Sequence, residues 1–153
     1  MSLYLVQHGL SLGKDEDPEK GLSETGIATT KRIAEVAAGY NVRVQAIHHS
    51  AKKRARQTAE LLAAALHPPA GTAEQSGLLP LDDVSRLAPQ LASADQLMLV
   101  GHLPFMERLT GLLVSGDPQQ LICKFQNSGI ICLDQEPDRA TWFIKWTLMP
   151  NIG

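Results

Sequence analysis

The sequence has few of the features that place a protein in a membrane or outside the cell. It contains no run of about 20 apolar residues that could span a bilayer and no recognisable secretory signal peptide. The two cysteines, Cys123 and Cys132, lie in apolar surroundings and lack the spacing of metal ligands. We interpret both as reduced core thiols rather than a disulfide. The sequence therefore predicts a soluble, cytoplasmic protein.

The chain also lacks a strong excess of charge of either sign. Its 14 Lys and Arg residues and 16 Asp and Glu residues give a formal net charge of −2, which argues against a nucleic-acid partner. Basic residues cluster in one place only, from Lys52 to Arg56. The length of 153 residues predicts one domain, residues 1–153, that can bury a core without a metal or a disulfide. The sequence leaves the oligomeric state open.

Short apolar runs alternate with helical patterns along the chain, which is typical of an α/β domain. The predicted strands are Leu3–Val6, Val44–His48, Leu97–Val100, Ile130–Leu133 and Trp142–Trp146. The predicted helices are one capped by Ser23 that ends near Ala38 with Gly39 as its stop, one capped by Ser50 that reaches Leu66, one over Asp82–Leu91, and one opened by Pro104. In the last strand, strict alternation predicts that Trp142, Ile144 and Trp146 share one face.

Three predicted strands end in polar residues that packing does not require. Gln7-His8-Gly9 follows the first strand, His49-Ser50 with Arg54 beyond it follows the second, and Gly101-His102 follows the third. Ligands of α/β proteins bind at the carboxyl ends of strands and at the helix N-termini beside them. If these strands are parallel neighbours, we expect the three groups to meet at one edge of the sheet.

The second predicted helix begins with several basic residues, although positive charge opposes the dipole at a helix N-terminus. Several basic residues at a place where positive charge is unfavourable suggest that an anion binds there and compensates them. Backbone N–H groups, the Ser50 hydroxyl and the Arg54 guanidinium would together hold a phosphate. The alternative for Lys52 and Lys53 is a solvated basic face.

These segments resemble the motifs of a known family. The stretch "VQHG" resembles the Arg-His-Gly signature of the histidine phosphatase superfamily. The stretch "HHSAKKRARQTAELL" resembles the family's Ser-Pro-x-x-Arg-Ala-x-Gln-Thr segment, and "LMLVGHLPFM" is similar to the segment that carries its second histidine. The stretch "GLSETG" fits the family's loop-to-helix entry, and the short chain resembles the SixA-like phosphohistidine phosphatase branch. The resemblance implies a three-layer α/β/α sandwich with a mostly parallel central sheet, as in phosphoglycerate mutases.

The resemblance also implies roles for individual residues. His8 would be the nucleophile that accepts the phosphoryl group, Arg54 would bind the phosphate oxygens, and His102 would stabilise the transferring group. It implies no metal and no cofactor, because positioning and fixed positive groups do most of the work in phosphoryl transfer.

Two positions depart from the family pattern. Gln7 stands where the family has its first arginine, so one phosphate contact loses its charge, and Ala51 stands where the family has proline. Lys52, Lys53 or Arg56 would be the source of a replacement charge. Together with Gln7, the substrate-binding candidates are Gly9, Ser11 and Ser50.

The sequence does not identify a general acid. Glu74, Asp82 and Asp83 are candidates by position, although Asp82 and Asp83 also read as helix N-terminal residues. An imidazole leaving group can be protonated from solvent, so the lack of an obvious acid favours phosphohistidine as the substrate.

The remaining histidines have simpler interpretations. His48 and His49 are adjacent on a strand and should point to opposite faces, which argues against a shared metal. His67 is expected at an exposed helix end.

Three functions remain open at this point. One is a phosphatase of a phosphorylated partner protein, such as a phosphohistidine carrier. A second is a phosphatase of a small phosphorylated molecule, and a third is a phosphate-binding pseudoenzyme, which Gln7 motivates.

Overall fold

The computed structural model describes residues 1–153 and contains six strands and four α-helices. The strands are β1 (Leu3–Gln7), β2 (Ala46–His49), β3 (Thr72–Glu74), β4 (Leu97–Gly101), β5 (Ile130–Gln135) and β6 (Trp142–Leu148). The helices are α1 (Glu24–Gly39), α2 (Lys53–Leu66), α3 (Val84–Leu87) and α4 (Phe105–Ser115), with 3₁₀ turns at Ala88–Gln90 and Ser93–Asp95.

The six strands form one mixed sheet in the order β3-β2-β4-β1-β5-β6. The four strands from β3 to β1 are parallel, and β5 and β6 are antiparallel to their neighbours. The three strands with polar ends, β1, β2 and β4, are parallel neighbours, as the sequence predicted. Their carboxyl ends therefore lie at the same edge of the sheet.

The sheet lies between two apolar layers, which confirms the predicted α/β/α sandwich. Alternation along β1 sends Tyr4 and Val6 to the face covered by α1 and α2, and Leu3 and Leu5 to the face covered by α3 and α4. Both faces of β1 are buried, so the strand reads as an uninterrupted apolar run. Cys132 is buried in the first layer, whereas Cys123 is only partly buried, and both thiols are free.

None of the helices combines the length and the apolar character that a membrane-crossing segment requires.

Helix boundaries differ from the sequence prediction at two places. Ser23 caps α1 as predicted, by accepting a hydrogen bond from the Gly26 N–H, but the helix includes Gly39, and the left-handed residue that follows is Asn41. Ser50 does not cap α2, which starts three residues later with Lys52 at the cap position and no side-chain cap. The Ser50 hydroxyl contacts His102 instead.

The region between α2 and β4 is less helical than predicted. The helix expected over Asp82–Leu91 is reduced to α3 and a 3₁₀ turn that contains Pro89, a residue without an N–H for an α-helical bond. The short edge strand β3 was not predicted, because its three residues are all exposed and have no apolar pattern. The second strand is also shifted: it begins at Ala46 rather than Val44.

The prediction that the two tryptophans of β6 share a face is wrong. Cys132 pairs with Trp146 but the next residue, Leu133, pairs with Ile144, so the register shifts by one residue at a β-bulge. Trp142 and Ile144 consequently pack in the layer of α3 and α4, while Trp146 packs in the layer of α1 and α2.

Candidate active site

The polar residues that follow β1, β2 and β4 meet at the carboxyl edge of the sheet, as predicted. The His8 N–H donates to the Gly101 carbonyl at 3.0 Å, and the Ser50 N–H donates to the Val100 carbonyl at 3.2 Å, so both ends are fixed to β4. The rings of His8 and His102 face each other with centroids 5.1 Å apart and planes tilted by 56°. The ends of β1 and β4 thus place the imidazoles of His8 and His102 next to each other.

The hydrogen bonds of His8 define its tautomer. Nδ1 lies 2.7 Å from the Gly9 carbonyl oxygen, which can only accept, so Nδ1 carries the proton and Nε2 has a free lone pair. The Nε–H of Arg54 points to that lone pair at 3.3 Å. Burial, together with the positive charges of Arg54 and Lys20, lowers the pKa of His8 to about 4. His8 is therefore a neutral imidazole at neutral pH, with its unprotonated nitrogen next to a guanidinium.

His102 has a complementary arrangement. Its Nε2 lies 2.6 Å from the Ser50 Oγ, which itself accepts the Lys52 N–H at 3.3 Å. If the hydroxyl proton is to have an acceptor in this buried site, it must go to Nε2, which leaves the proton of the imidazole on Nδ1. That Nδ1 is buried and has no hydrogen-bond partner in the protein. An N–H donor without a partner, beside His8, is suited to an anionic ligand.

The pKa of His102 is also lowered, to about 3. Burial is the largest cause, and His8, Arg54 and Lys52 add to it. Only 1% of the residue surface is exposed. His102 therefore acts as a neutral donor rather than as a second cation.

Arg54 is the charged residue of the site. It lies in the first turn of α2, is partly buried, and forms no ion pair with any carboxylate. Burial lowers its pKa from a very high ordinary value, which leaves the guanidinium charged. Its remaining N–H groups are free to bind an anion.

The other basic residues of α2 correct one sequence-based interpretation. Lys53 pairs with Asp17 at 3.0 Å and lies 3.7 Å from Glu19, and Arg56 lies 3.8 Å from Glu60. Carboxylates of the protein therefore compensate these two charges, and a bound anion is not needed for them. Lys52 forms no ion pair.

Gln7 lies at the end of β1, in register with Gly101. By strand alternation it follows Leu3 and Leu5 onto the face covered by α3 and α4. Its Oε1 is buried and has no hydrogen-bond partner. The side chain of Gln7 is thus a buried amide with an unsatisfied acceptor.

The backbone around His8 is held by residues that the sequence analysis did not single out. The Asn127 Nδ2 donates to the His8 carbonyl at 2.9 Å, and the Ser128 N–H donates to the Gln7 carbonyl at 2.9 Å. The Gly9 N–H donates to the Thr58 Oγ1 at 2.9 Å. Thr58 lies within the "RARQT" segment that carried the family resemblance, whereas Asn127 is distant in sequence and gave no signal.

Gly9 is required by close packing. A Cβ at this position would lie 2.7 Å from the Thr30 Oγ1, and 3.2 Å from the Ser128 Oγ. These two hydroxyls are themselves hydrogen-bonded at 2.8 Å. The Gly9 backbone can therefore lie against them only without a side chain.

The loop between His8 and α1 is attached to α2. Asp17 accepts hydrogen bonds from Gly21 N–H and Lys53 Nζ, and Gln57 Oε1 accepts the Leu22 N–H at 2.7 Å. Hydrogen bonds from Lys53 and from the loop backbone lower the pKa of Asp17 to about 2. Ser11, a predicted substrate-binding residue, lies in this loop and forms a bridge with Leu22.

The three candidates for a general acid occupy different places. Asp82 accepts the Leu79 N–H at 2.9 Å, and Asp83 caps α3 by accepting from Ser85. Hydrogen bonds from Ser85 lower the pKa of Asp83. Glu74 is exposed on the edge strand β3. Both aspartates therefore serve as acceptors within the loop between β3 and α3.

The remaining histidines have structural contacts. The His48 Nδ1 contacts the Gln75 Oε1 at 2.6 Å, while the buried His49 donates from Nδ1 to the Ser50 carbonyl at 2.8 Å. His67 ends α2 in a left-handed conformation and is exposed. No group of three His, Cys, Asp or Glu side chains is arranged to hold a metal ion.

Comparisons with known proteins agree with this geometry. The sequence model of the histidine phosphatase superfamily (branch 1) matches residues 3–75, which include His8 and Arg54. An uncharacterized protein of Picosynechococcus sp. is 35% identical over 112 residues, which cover 68% of this chain and 67% of that protein.

Solved structures match over nearly the whole chain. The protein histidine phosphatase SixA complexed with tungstate superposes with a TM-score of 0.82 at 22% identity, over 98% of this chain and 97% of that one. The protein assigned as the phosphohistidine phosphatase SixA of Agrobacterium tumefaciens gives a TM-score of 0.78 at 25% identity, over 97% of both chains. The chain therefore belongs to the histidine phosphatase superfamily and has the fold of the SixA phosphohistidine phosphatases.

Proposed function

We propose that this phosphatase acts without a metal through a phosphohistidine intermediate at His8, and that its substrate is phosphohistidine in a partner protein. The observation that carries the proposal is the state of His8. Its Nδ1–H donates to the Gly9 carbonyl, its unprotonated Nε2 accepts a long hydrogen bond from the Arg54 Nε–H, and His102 lies beside it. A neutral imidazole beside a guanidinium is an activated nucleophile for a phosphoryl group.

The reaction proceeds in two displacements. The His8 Nε2 forms a bond to phosphorus while the P–N bond of the substrate breaks, and the leaving imidazole takes a proton from solvent. Water then attacks the phosphorus, the bond to His8 breaks, and inorganic phosphate is released. In both steps Arg54 and the His102 Nδ1–H donate hydrogen bonds to the phosphoryl oxygens, where charge must be stabilised.

Two observations support phosphohistidine as the substrate. Both solved structures compared above are SixA proteins, one a protein histidine phosphatase and the other assigned as a phosphohistidine phosphatase. Asp82 and Asp83 accept hydrogen bonds from backbone N–H groups of their own loop, and neither is hydrogen-bonded to His8 or His102. An imidazole leaving group that takes its proton from water has little need of an enzymic acid.

Gln7 favours one alternative, a phosphate-binding pseudoenzyme. The charged contact that the family pattern provides at this position is missing, and the amide oxygen has no partner. A neutral hydrogen bond contributes about 0.5 to 1.5 kcal/mol, against about 1.5 to 3 kcal/mol for one to a charged group. This difference predicts weakened phosphate binding rather than a loss of activity.

The test is turnover and trapping of the intermediate. Wild type should release phosphate from phosphohistidine and become phosphorylated on His8 after acid-free quenching, and excess EDTA should leave the rate unchanged. His8→Ala should lose turnover and labelling, because it removes the attacking nitrogen. His67→Asn, which changes an exposed histidine and tolerates its left-handed backbone, is the control. Unimpaired turnover by His8→Ala would contradict the mechanism, and phosphate binding without labelling of wild type would favour the pseudoenzyme.

A further inference from the structure

A basic groove opens beside Arg54. Its volume is about 840 Å³, and it runs between the N-terminus of α2, the loop before α1 and the segment 79–82. Arg54 lines the groove and also contacts His8, so the groove borders the candidate active site. It collects six of the chain's 14 basic residues but only two of its 16 acidic ones. The basic residues are Lys14, Lys20, Lys52, Lys53, Arg54 and Arg56.

The positive charge of the groove is compensated only in part: Arg56 pairs with Glu60, and Glu19 and Asp82 also line the groove. Among its lysines, Lys53 is engaged by Asp17, but Lys14, Lys20 and Lys52 form no ion pair. Lys20 lowers the pKa of His8 and Lys52 lowers that of His102, which shows that their charges act on the site. Because the whole chain is acidic, this is a local cationic face on a protein of opposite net charge.

The opposite wall of the groove, residues 79–82, exposes apolar surface next to one carboxylate, Asp82. Leu79 and Leu81 line it with 38% and 78% of their surfaces exposed, on either side of Pro80. A small phosphorylated molecule bound to Arg54 would leave these leucines in water. A protein segment that carries both carboxylates and an apolar side chain would cover them and neutralise the lysines on the other wall.

We infer that the groove docks an acidic, partly apolar segment of the partner protein, next to the phosphohistidine that enters the site. This inference rests on the proposed function, since it specifies the protein that presents the phosphoryl group. Complementary charge would raise the association rate and select acidic partners, an effect that weakens with salt.

The experiment compares two phosphohistidine peptides of equal length. One carries Asp and Glu residues and one Leu around the phosphohistidine, and in the other the acidic residues are replaced by Ser and Asn. We expect kcat/KM to favour the acidic peptide by about tenfold at low salt and by about twofold near 0.5 M NaCl, because screening shortens the range of the charges. Both peptides undergo the same chemistry, so the ratio reports docking alone.

Pairs of variants test whether the preference for the acidic peptide depends on residues of the groove. Lys14→Ser combined with Lys20→Asn should reduce the ratio toward one; Asn suits position 20, where φ is 53°. Lys31→Ser combined with Lys124→Ser removes the same charge from exposed positions outside the groove and should leave the ratio unchanged. Leu81→Ser should weaken use of the Leu-containing peptide and have no effect on a peptide with Ser in its place. Leu121→Ser, half-exposed elsewhere, is its control.

The outcomes separate this inference from the proposed function. Hydrolysis of both peptides with equal kcat/KM, or a ratio that the lysine variants do not change, would overturn the docking groove and leave the phosphatase assignment intact. A higher kcat/KM for free phosphohistidine than for either peptide would also overturn it, in favour of a small substrate. Failure to hydrolyse any phosphohistidine compound would refute the proposed function itself.

Discussion

The chemistry of this site depends on which ring nitrogen carries the proton in His8 and in His102. The Gly9 carbonyl holds the proton of His8 on Nδ1, and the Ser50 hydroxyl directs the proton of His102 to Nδ1 as well. The two imidazoles therefore play opposite roles at neutral pH: His8 presents a lone pair, and His102 presents an N–H. Ser50, which the sequence suggested as a phosphate ligand and a helix cap, does not cap α2 but contacts the His102 Nε2.

Ser50→Ala should consequently impair catalysis through its effect on His102. Loss of the hydroxyl frees the tautomer of His102, and we expect kcat to fall by about tenfold, the effect of one lost hydrogen bond in the transition state. Nitrogen-15 NMR of the imidazole should show a mixture of tautomers in place of one. Ser50→Thr, which keeps a hydroxyl, should retain the wild-type tautomer. An unchanged nitrogen-15 pattern in Ser50→Ala would show that the hydroxyl does not fix the proton.

At the level of elements, α2 begins with a cap residue that is unfavourable for the stability of the helix. Its cap residue, Lys52, has the extended backbone of an N-cap (φ −74°, ψ 139°) but no side chain that can accept from the free N–H groups. Its charge also opposes the helix dipole. The same lysine lines the groove and lowers the pKa of His102.

Replacing Lys52 should therefore raise the free energy of unfolding while it lowers the activity. Lys52→Ser supplies a cap and Lys52→Asp supplies a cap and a favourable charge, so we expect gains in unfolding free energy of about 0.5 and about 1 kcal/mol. The aspartate should also reduce kcat/KM for anionic substrates more than the serine does. Denaturant unfolding and steady-state kinetics measure the two effects. A less stable Lys52→Asp protein would mean that the lysine stabilises α2 by a contact other than the cap.

The convergence at the sheet edge was predictable from sequence because strand ends and helix starts are local patterns. His8, Arg54 and His102 each follow an apolar run, and parallel pairing brings the ends of such runs together. The β-bulge before Trp146 and the exposed strand β3 have no such local pattern, since pairing with β5 and β2 defines them. The contact of Asn127 with His8 spans 119 positions, which no local pattern encodes.

For the whole molecule, the buried neutral imidazoles make stability depend on pH. The pKa values of His8 and His102 are about 4 and about 3 in the folded protein, against about 6.5 in an unfolded chain. Between about pH 7 and about pH 4, the unfolded state therefore binds more protons than the folded state, and acidification favours unfolding. Asp17, with a pKa of about 2, adds a further loss only below about pH 4, where unfolded carboxylates become protonated.

The measurement is the unfolding free energy across this pH range for wild type and His8→Asn. The wild-type protein should lose stability steadily from about pH 7 to about pH 4, and the variant should lose less, because it lacks one of the two groups. His67→Asn changes an exposed residue with a left-handed backbone, which Asn tolerates, and should keep the wild-type slope. Equal slopes in wild type and His8→Asn would show that His8 has similar proton affinity in both states.

The position of β1 in the sheet affects how the site forms during synthesis. Its partners, β4 and β5, lie at residues 97–101 and 130–135, and the Asn127 and Ser128 contacts to its end come from the same late part of the chain. His8 is therefore synthesised well before the residues that surround it in the fold. A nascent chain that stops before β5 can carry His8 only as an ordinary solvated histidine, with an ordinary proton affinity. Phosphatase activity is therefore expected to arise only after β5 has left the exit tunnel.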